Sequence, residues 1–127
     1  MDLNRSAGFQ AATFLTDALL FPHIATDFPN WTGISLVNVS AQPLEVTFQA
    51  YNDQGERLAE SQQTLAAFSK LLNVAQNLFG ANGLPSGTTY LKVLANQPAL
   101  CGFQLFGTLT DSGSPGEQLA GLAAIPF

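Results

Sequence analysis

From Leu44 to Tyr51 apolar and polar residues alternate without a break. Leu44, Val46, Phe48 and Ala50 fall on one side; Glu45, Thr47, Gln49 and Tyr51 fall on the other. A period of two with one polar face predicts a half-buried antiparallel strand. Asn52-Asp53-Gln54-Gly55 then turns the chain, because glycine supplies the positive φ of a tight turn. The polar stretch 57–65 is predicted to return as an exposed partner strand. Upstream, ISLVNVS (34–40) reads as a strand that ends in the turn Ser40-Ala41-Gln42-Pro43. Residues 17–26 are apolar around Pro22, which lacks an N–H for a ladder, so they predict an edge or bulged strand. Residues 9–15 read as a short strand and 26–33 as a loop. Downstream, two apolar runs flank Asn96-Gln97-Pro98, and 90–108 is expected to be the most buried hairpin. A flexible loop is expected at 111–117, and LAGLAAIPF (119–127) closes the chain as an apolar strand.

One stretch breaks the alternation. Phe68, Leu71, Leu72, Ala75, Leu78 and Phe79 form a single stripe at helical spacing. With Ser69 as N-cap and Gly80 at C′ they predict one short helix over about 70–79, covering an open end. The two Gln-Pro turns lie 55 positions apart (97 − 42). On that offset Leu36 falls on Leu91 and Phe48-Gln49 on Phe103-Gln104. The reading is two equivalent hairpins, with Cys101, Phe103 and Leu105 meeting Val46, Phe48 and Ala50 across one core. Shared turn grammar explains the same pattern equally well. Short strands at about ten-residue spacing with turns between them define an all-β chain. The expected fold is an antiparallel β-sandwich of seven to eight strands with one short helix. Residues 1–8 form a flexible N-terminal segment, and 9–127 a single domain.

FPHIA, WTGISLVNVS, LEVTFQAYNDQGERL, YLKV, QPALCGFQLFG and LAAIP occur in that order over about residues 19–126. In this the chain resembles a repeated β-sandwich accessory module of exported multidomain bacterial proteins. The resemblance implies an adhesion-like structural or interaction module without chemistry of its own. It implies neighbouring domains of the same chain and export to the periplasm or beyond.

Composition changes the picture in one direction. Charged residues make up only 10% of the 127, against ~25% in an ordinary globular domain, and amides and hydroxyls replace them. Such a surface suits an exported domain. The net charge is −5, and the four cations Arg5, Arg57, Lys70 and Lys92 are scattered. They make no basic patch for phosphates, so nucleic acid is not an expected partner. No run reaches the ~18 apolar residues of a membrane helix, and residues 1–10 lack the pattern of a signal peptide. Cys101 is alone, so no intrachain disulfide is possible, and it is expected to be a buried small hydrophobe.

Catalysis finds little material. His23 is the sole histidine, and no Gly-x-Ser-x-Gly elbow exists. Glu45, Glu56 and Glu60 belong to a solvent-facing hairpin, not to a groove. One histidine and one cysteine are too few for a transition-metal site. Asp111, Ser112 and Glu117, or Asn52 and Asp53, lack the dense alternating acids of a calcium loop. No catalytic residue, metal or cofactor is therefore expected. Asn4, Asn30 and Asn38 begin formal glycosylation sequons, which mean little if the source is bacterial, as the resemblance implies. The one patch that points to a ligand is the Trp31 loop. His23, Asp27, Asn30 and Trp31 set hydrogen-bonding groups beside an aromatic ring, the means by which a sugar is held. Two functions stand: a non-catalytic module that binds protein or glycan at the cell surface, or a carbohydrate-binding module using these four residues. A Trp31 ring buried between the sheets removes the second. The oligomeric state is open.

Overall fold

The computed structural model describes residues 15–24, 30–109 and 115–127. Two antiparallel sheets pack face to face. Strand β1 is Ala18–Phe21, β2 Asn30–Asn38, β3 Leu44–Tyr51, β4 Arg57–Leu65 and β5 Lys70–Val74. Then come β6 Tyr90–Ala95, β7 Leu100–Leu109, β8 Pro115–Ala123 and the two-residue β9 Ile125–Pro126. The five-stranded sheet runs β4-β3-β6-β1-β9, and the four-stranded sheet runs β5-β2-β7-β8. The expected sandwich is present. The expected short strand at 9–15 lies almost wholly outside the described residues.

The alternating stretch behaves as its pattern requires. Leu44, Val46, Phe48 and Ala50 are all buried, and the turn after β3 uses Gly55 at φ 80°. Asn52 stabilises that turn, its Oδ1 accepting from the N–H of Gln54 and Glu56 at 2.9 and 3.0 Å. Polar β4 pairs with β3 along its whole length. β1 stops one residue before Pro22, and it lies between β6 and β9 instead of at an edge.

Three expectations are corrected. Residues 70–79 are not a helix: Lys70–Val74 pairs with Val37–Gly33 as β5, and short 3-10 turns follow at Ala75–Asn77 and Gly80–Asn82. Ladder bonds to β2 outweigh a helical stripe, since propensity is a weak prior against tertiary pairing. The expected N-cap Ser69 instead bonds back to the Ala66 carbonyl through its Oγ at 2.6 Å. The stripe is half honoured, because Ala75 and Leu78 are buried under the sandwich end while Leu72 is 60% exposed.

Second, residues 90–108 are not a hairpin. β6 belongs to the five-stranded sheet and β7 to the four-stranded one, so the Gln97-Pro98 turn crosses between sheets. The Gln42-Pro43 turn makes the same kind of crossing from β2 to β3. Third, the phase of β7 is opposite to that expected. Gly102 pairs with Leu36 and Gln104 with Ile34, and Leu36, Ile34 and Gln104 are all fully buried. Gly102, Gln104 and Phe106 therefore face the core, and Cys101, Phe103 and Leu105 face outward. A Cβ at Gly102 would stand 2.7 Å from the Ser35 carbonyl and 2.8 Å from Leu36 Cδ2. The missing side chain lets Leu19 of the opposite sheet reach β7.

The closing strand divides between the sheets at Ala124. β8 extends the four-stranded sheet beside β7, and β9 pairs with β1. Of the loop expected at 111–117, Pro115–Glu117 belongs to β8 and the remainder lies outside the described residues.

At the end of the sandwich where β2 gives way to β3, Asn38 ties three segments together: the end of β2, the turn at 40–42 and the end of β4. Its side chain is fully buried, and its Nδ2 donates to the carbonyls of Gln42, Leu65 and Ala66 at 2.8, 3.1 and 3.1 Å. Its Oδ1 accepts from the N–H and Oγ of Ser40 at 2.9 and 2.8 Å. The Asn38-Val39-Ser40 sequon is thus a structural Asx turn, with its amide spent inside the fold.

Candidate functional site

Of the four residues singled out by the sequence, only His23 and Trp31 have described side chains, and these two do not converge. Asp27 lies outside the described residues, and Asn30 is described only as the first residue of β2, opposite Thr108. His23 is exposed just past β1. Its ring meets Phe106 at 5.3 Å between centroids, and its carbonyl accepts from Gln104 Nε2 at 3.0 Å. That contact places His23 at the mouth between the sheets, since Phe106 shares the inward phase of Thr32. Trp31 has the opposite phase and lies half-buried on the outside of the four-stranded sheet. His23 and Trp31 thus occupy opposite sides of that sheet.

The seat of Trp31 is built from glycines. Gly107, its cross-strand partner, has its Cα directly beneath the indole: a Cβ there would come within 2.3 Å of Cζ2 and 2.7 Å of Nε1. Gly33 lies under the other edge of the ring, with Cζ3 at 3.4 Å from the place of its Cβ. The ring rests on the sheet across two strands. Gly107→Ala is expected to lift it. As Trp31 is the sole tryptophan, the result is a red shift of intrinsic emission and a loss of about 1–3 kcal/mol. Unshifted emission would contradict this seat.

The feature that sequence reading missed is the surface on which Trp31 lies. The register puts Val37, Ser35, Gly33 and Trp31 of β2 on the same outer side as Lys70, Leu72 and Val74 of β5. Cys101, Phe103, Leu105 and Gly107 of β7 and Ala123 of β8 share it. Among the described side chains there, only Lys70, at the end of edge strand β5, is charged. Leu72 is 60% exposed, and Val37, Val74 and Leu105 are half-buried. Cys101, expected in the core, is also half-buried, and desolvation pushes its thiol above the ordinary range. A signal for this face existed: the Leu100–Leu109 and Ile34–Val37 runs are rich in apolar residues on both parities, the mark of a strand covered on both faces.

The outer face of the five-stranded sheet has the reverse character. Tyr51 and Tyr90 stack across strands at 5.1 Å, and Lys92 Nζ sits 4.8 Å from the Tyr51 ring and 5.5 Å from that of Phe127. Gln49 Nε2 donates to Glu60 Oε2 at 2.8 Å, and Arg57 approaches the same oxygen at 3.4 Å. A hollow of about 230 Å³ bordered by Glu45, Thr47, Gln62, Leu94 and Asn96 opens on this side. Among the described residues no three His, Cys, Asp or Glu side chains gather as metal ligands, and no helix is long and apolar enough to cross a membrane.

Comparison with known proteins yields the fold class. No family model matches the chain, and no curated protein matches it. Among solved structures, "Crystal Structure of Thermotoga maritima 1070" superposes with a TM-score of 0.68 at 10% identity, covering 88% of this chain and 95% of that one. The chain shares a two-sheet β-sandwich with that protein. At this identity the likeness concerns the fold alone.

Proposed function

We propose that this chain is a non-catalytic interaction module of an exported protein, and that it docks a protein through the outer face of its four-stranded sheet. One observation carries the reading: among the described side chains that face is apolar, with Lys70 its single charge. Soluble proteins seldom expose contiguous apolar patches of more than a few hundred Å², and larger ones mark interaction sites. The position of His23 supports the non-catalytic part, for its ring lies on Phe106 and its carbonyl is engaged by Gln104. The low charge and the resemblance to repeated bacterial modules support export and a place among neighbouring domains.

The test is binding of an apolar dye at nanomolar protein concentration. Wild type is expected to bind dye, and Leu72→Glu/Leu105→Glu to bind far less with an unchanged circular-dichroism spectrum. A wild type that binds no dye at any concentration removes the docking face.

Carbohydrate binding is the second reading, and the seat of Trp31 is what favours it. An indole lying on a glycine floor outside the sandwich is a stacking platform for a sugar ring. Saturable binding of a soluble polysaccharide, abolished by Trp31→Ala, supports it; no binding across a glycan array refutes it.

A further inference from the structure

We infer that the occupant of the four-stranded sheet's outer face is a second copy of this chain, the two faces meeting about a twofold axis. The inference rests on the docking-face reading above. Size is the first argument. Strands of 5, 9, 10 and 9 residues make up the sheet. At the usual spacing and rise they cover roughly 500 Å² in projection, before side-chain relief is added. A standard stable interface takes ~800 Å² from each partner, so this face with its rim is of the size a homodimer needs.

Charge is the second argument. The chain carries −5, so two copies repel unless their acids are kept apart. Of its nine acids, Glu45 and Glu60 lie on β3 and β4 and Asp53 and Glu56 in the turn between them, with the five-stranded sheet, while Glu117 belongs to β8 of the four-stranded one. Stacking the four-stranded faces directs the first four away from the contact. Relief is the third. Sheets pack about 10 Å apart with side chains of one filling gaps in the other. This face offers both parts: Leu72, Val74 and Leu105 project, while Ser35 leaves low ground between Leu72 and Phe103 on β2. An isologous contact requires such self-complementarity.

Sedimentation equilibrium of the full chain from nanomolar to millimolar concentration is the experiment, read with Trp31 emission and alkylation of Cys101. The expected result is a species of twice the 13.4 kDa chain mass that dissociates on dilution. Trp31 emission should shift to the red as it does so, and Cys101 should become more reactive. Leu72→Glu/Leu105→Glu should weaken association by roughly a hundredfold or more, because each charge would be buried unpaired. A chain that stays monomeric while its face binds dye overturns the inference and leaves the docking face standing. A monomer that binds no dye ends both. A dimer indifferent to the two substitutions, with Cys101 as reactive as in the monomer, meets through another surface and also overturns it.

Discussion

Asn38→Asp should unfold the domain, or bring it close to unfolding, at neutral pH. The wild-type amide shares two N–H groups among three carbonyl oxygens, at 2.8 to 3.1 Å, in a fully buried site. A carboxylate of the same shape turns those donors into a charged acceptor facing three acceptors. Leaving a buried charge without a partner costs about 3–5 kcal/mol, and domains of this size hold only ~5–15 kcal/mol in total. The lesion has a pH signature. Burial among carbonyls raises the folded pKa of the new carboxyl above its unfolded value. Its destabilisation is therefore smallest below the unfolded pKa and grows as pH rises through the folded one. Urea denaturation at mildly acidic and neutral pH reads both effects. Asn38→Ala removes the donors without adding charge and should cost less, about 1–3 kcal/mol, with no such pH dependence. An aspartate variant as stable as wild type at neutral pH would show that the three carbonyls do not depend on this amide.

The local grammar of the chain was legible, and its long-range pairing was not. Leu44 to Tyr51 declares its strand, its inward face and its turn, because alternation and glycine are read within one strand. The stretch 90–108 shows what local grammar omits. A Gln-Pro turn between apolar runs looks the same whether the next strand returns beside the first or crosses to the opposite sheet, and here it crosses. The crossing also resets the phase. Leu44 follows Pro43 directly into the core, but after Pro98 both Ala99 and Leu100 are buried, so β7 enters one residue out of step with β3. A one-residue step exchanges every side chain between faces. For that reason Phe103 and Leu105 were expected inside, and the apolar outer face went unseen. Lys70–Val74 failed for a related reason: an edge strand whose Leu72 points outward and Leu71 inward imitates a helical stripe once Ala75 and Leu78 continue it. Sequence alone left open whether the Trp31 ring is exposed or core. The residue lies in β2, expected as part of a loop, and its ring is half-buried on the outer side of the four-stranded sheet. His23 follows the strand of one sheet while Trp31 begins the strand of the other.

Truncating two phenylalanines should settle the phase of β7. Phe48 and Phe103 are equivalent on the 55-residue offset, yet the fold treats them differently. Phe48 is fully buried, on the inner side of β3 beside Val93 and Ser61. Its replacement by alanine leaves a cavity lined from both sheets and should cost about 3–5 kcal/mol. Phe103 stands on the outer side of β7 between Ser35 and Ala123 and is only partly buried. Its truncation removes less buried area and opens no void between the sheets, so the expected loss is about 1 kcal/mol. Both variants are to be compared by thermal and urea unfolding at protein concentrations below any self-association, where only the fold of one chain is measured. At higher concentration Phe103→Ala should lose additional apparent stability and Phe48→Ala should not, because association adds to the stability of whatever it buries. Equal losses in the dilute limit would put Phe103 in the core. Gly102, Gln104 and Phe106 would then line the outside of the sheet, and neither the docking face nor a pairing of copies through it would survive.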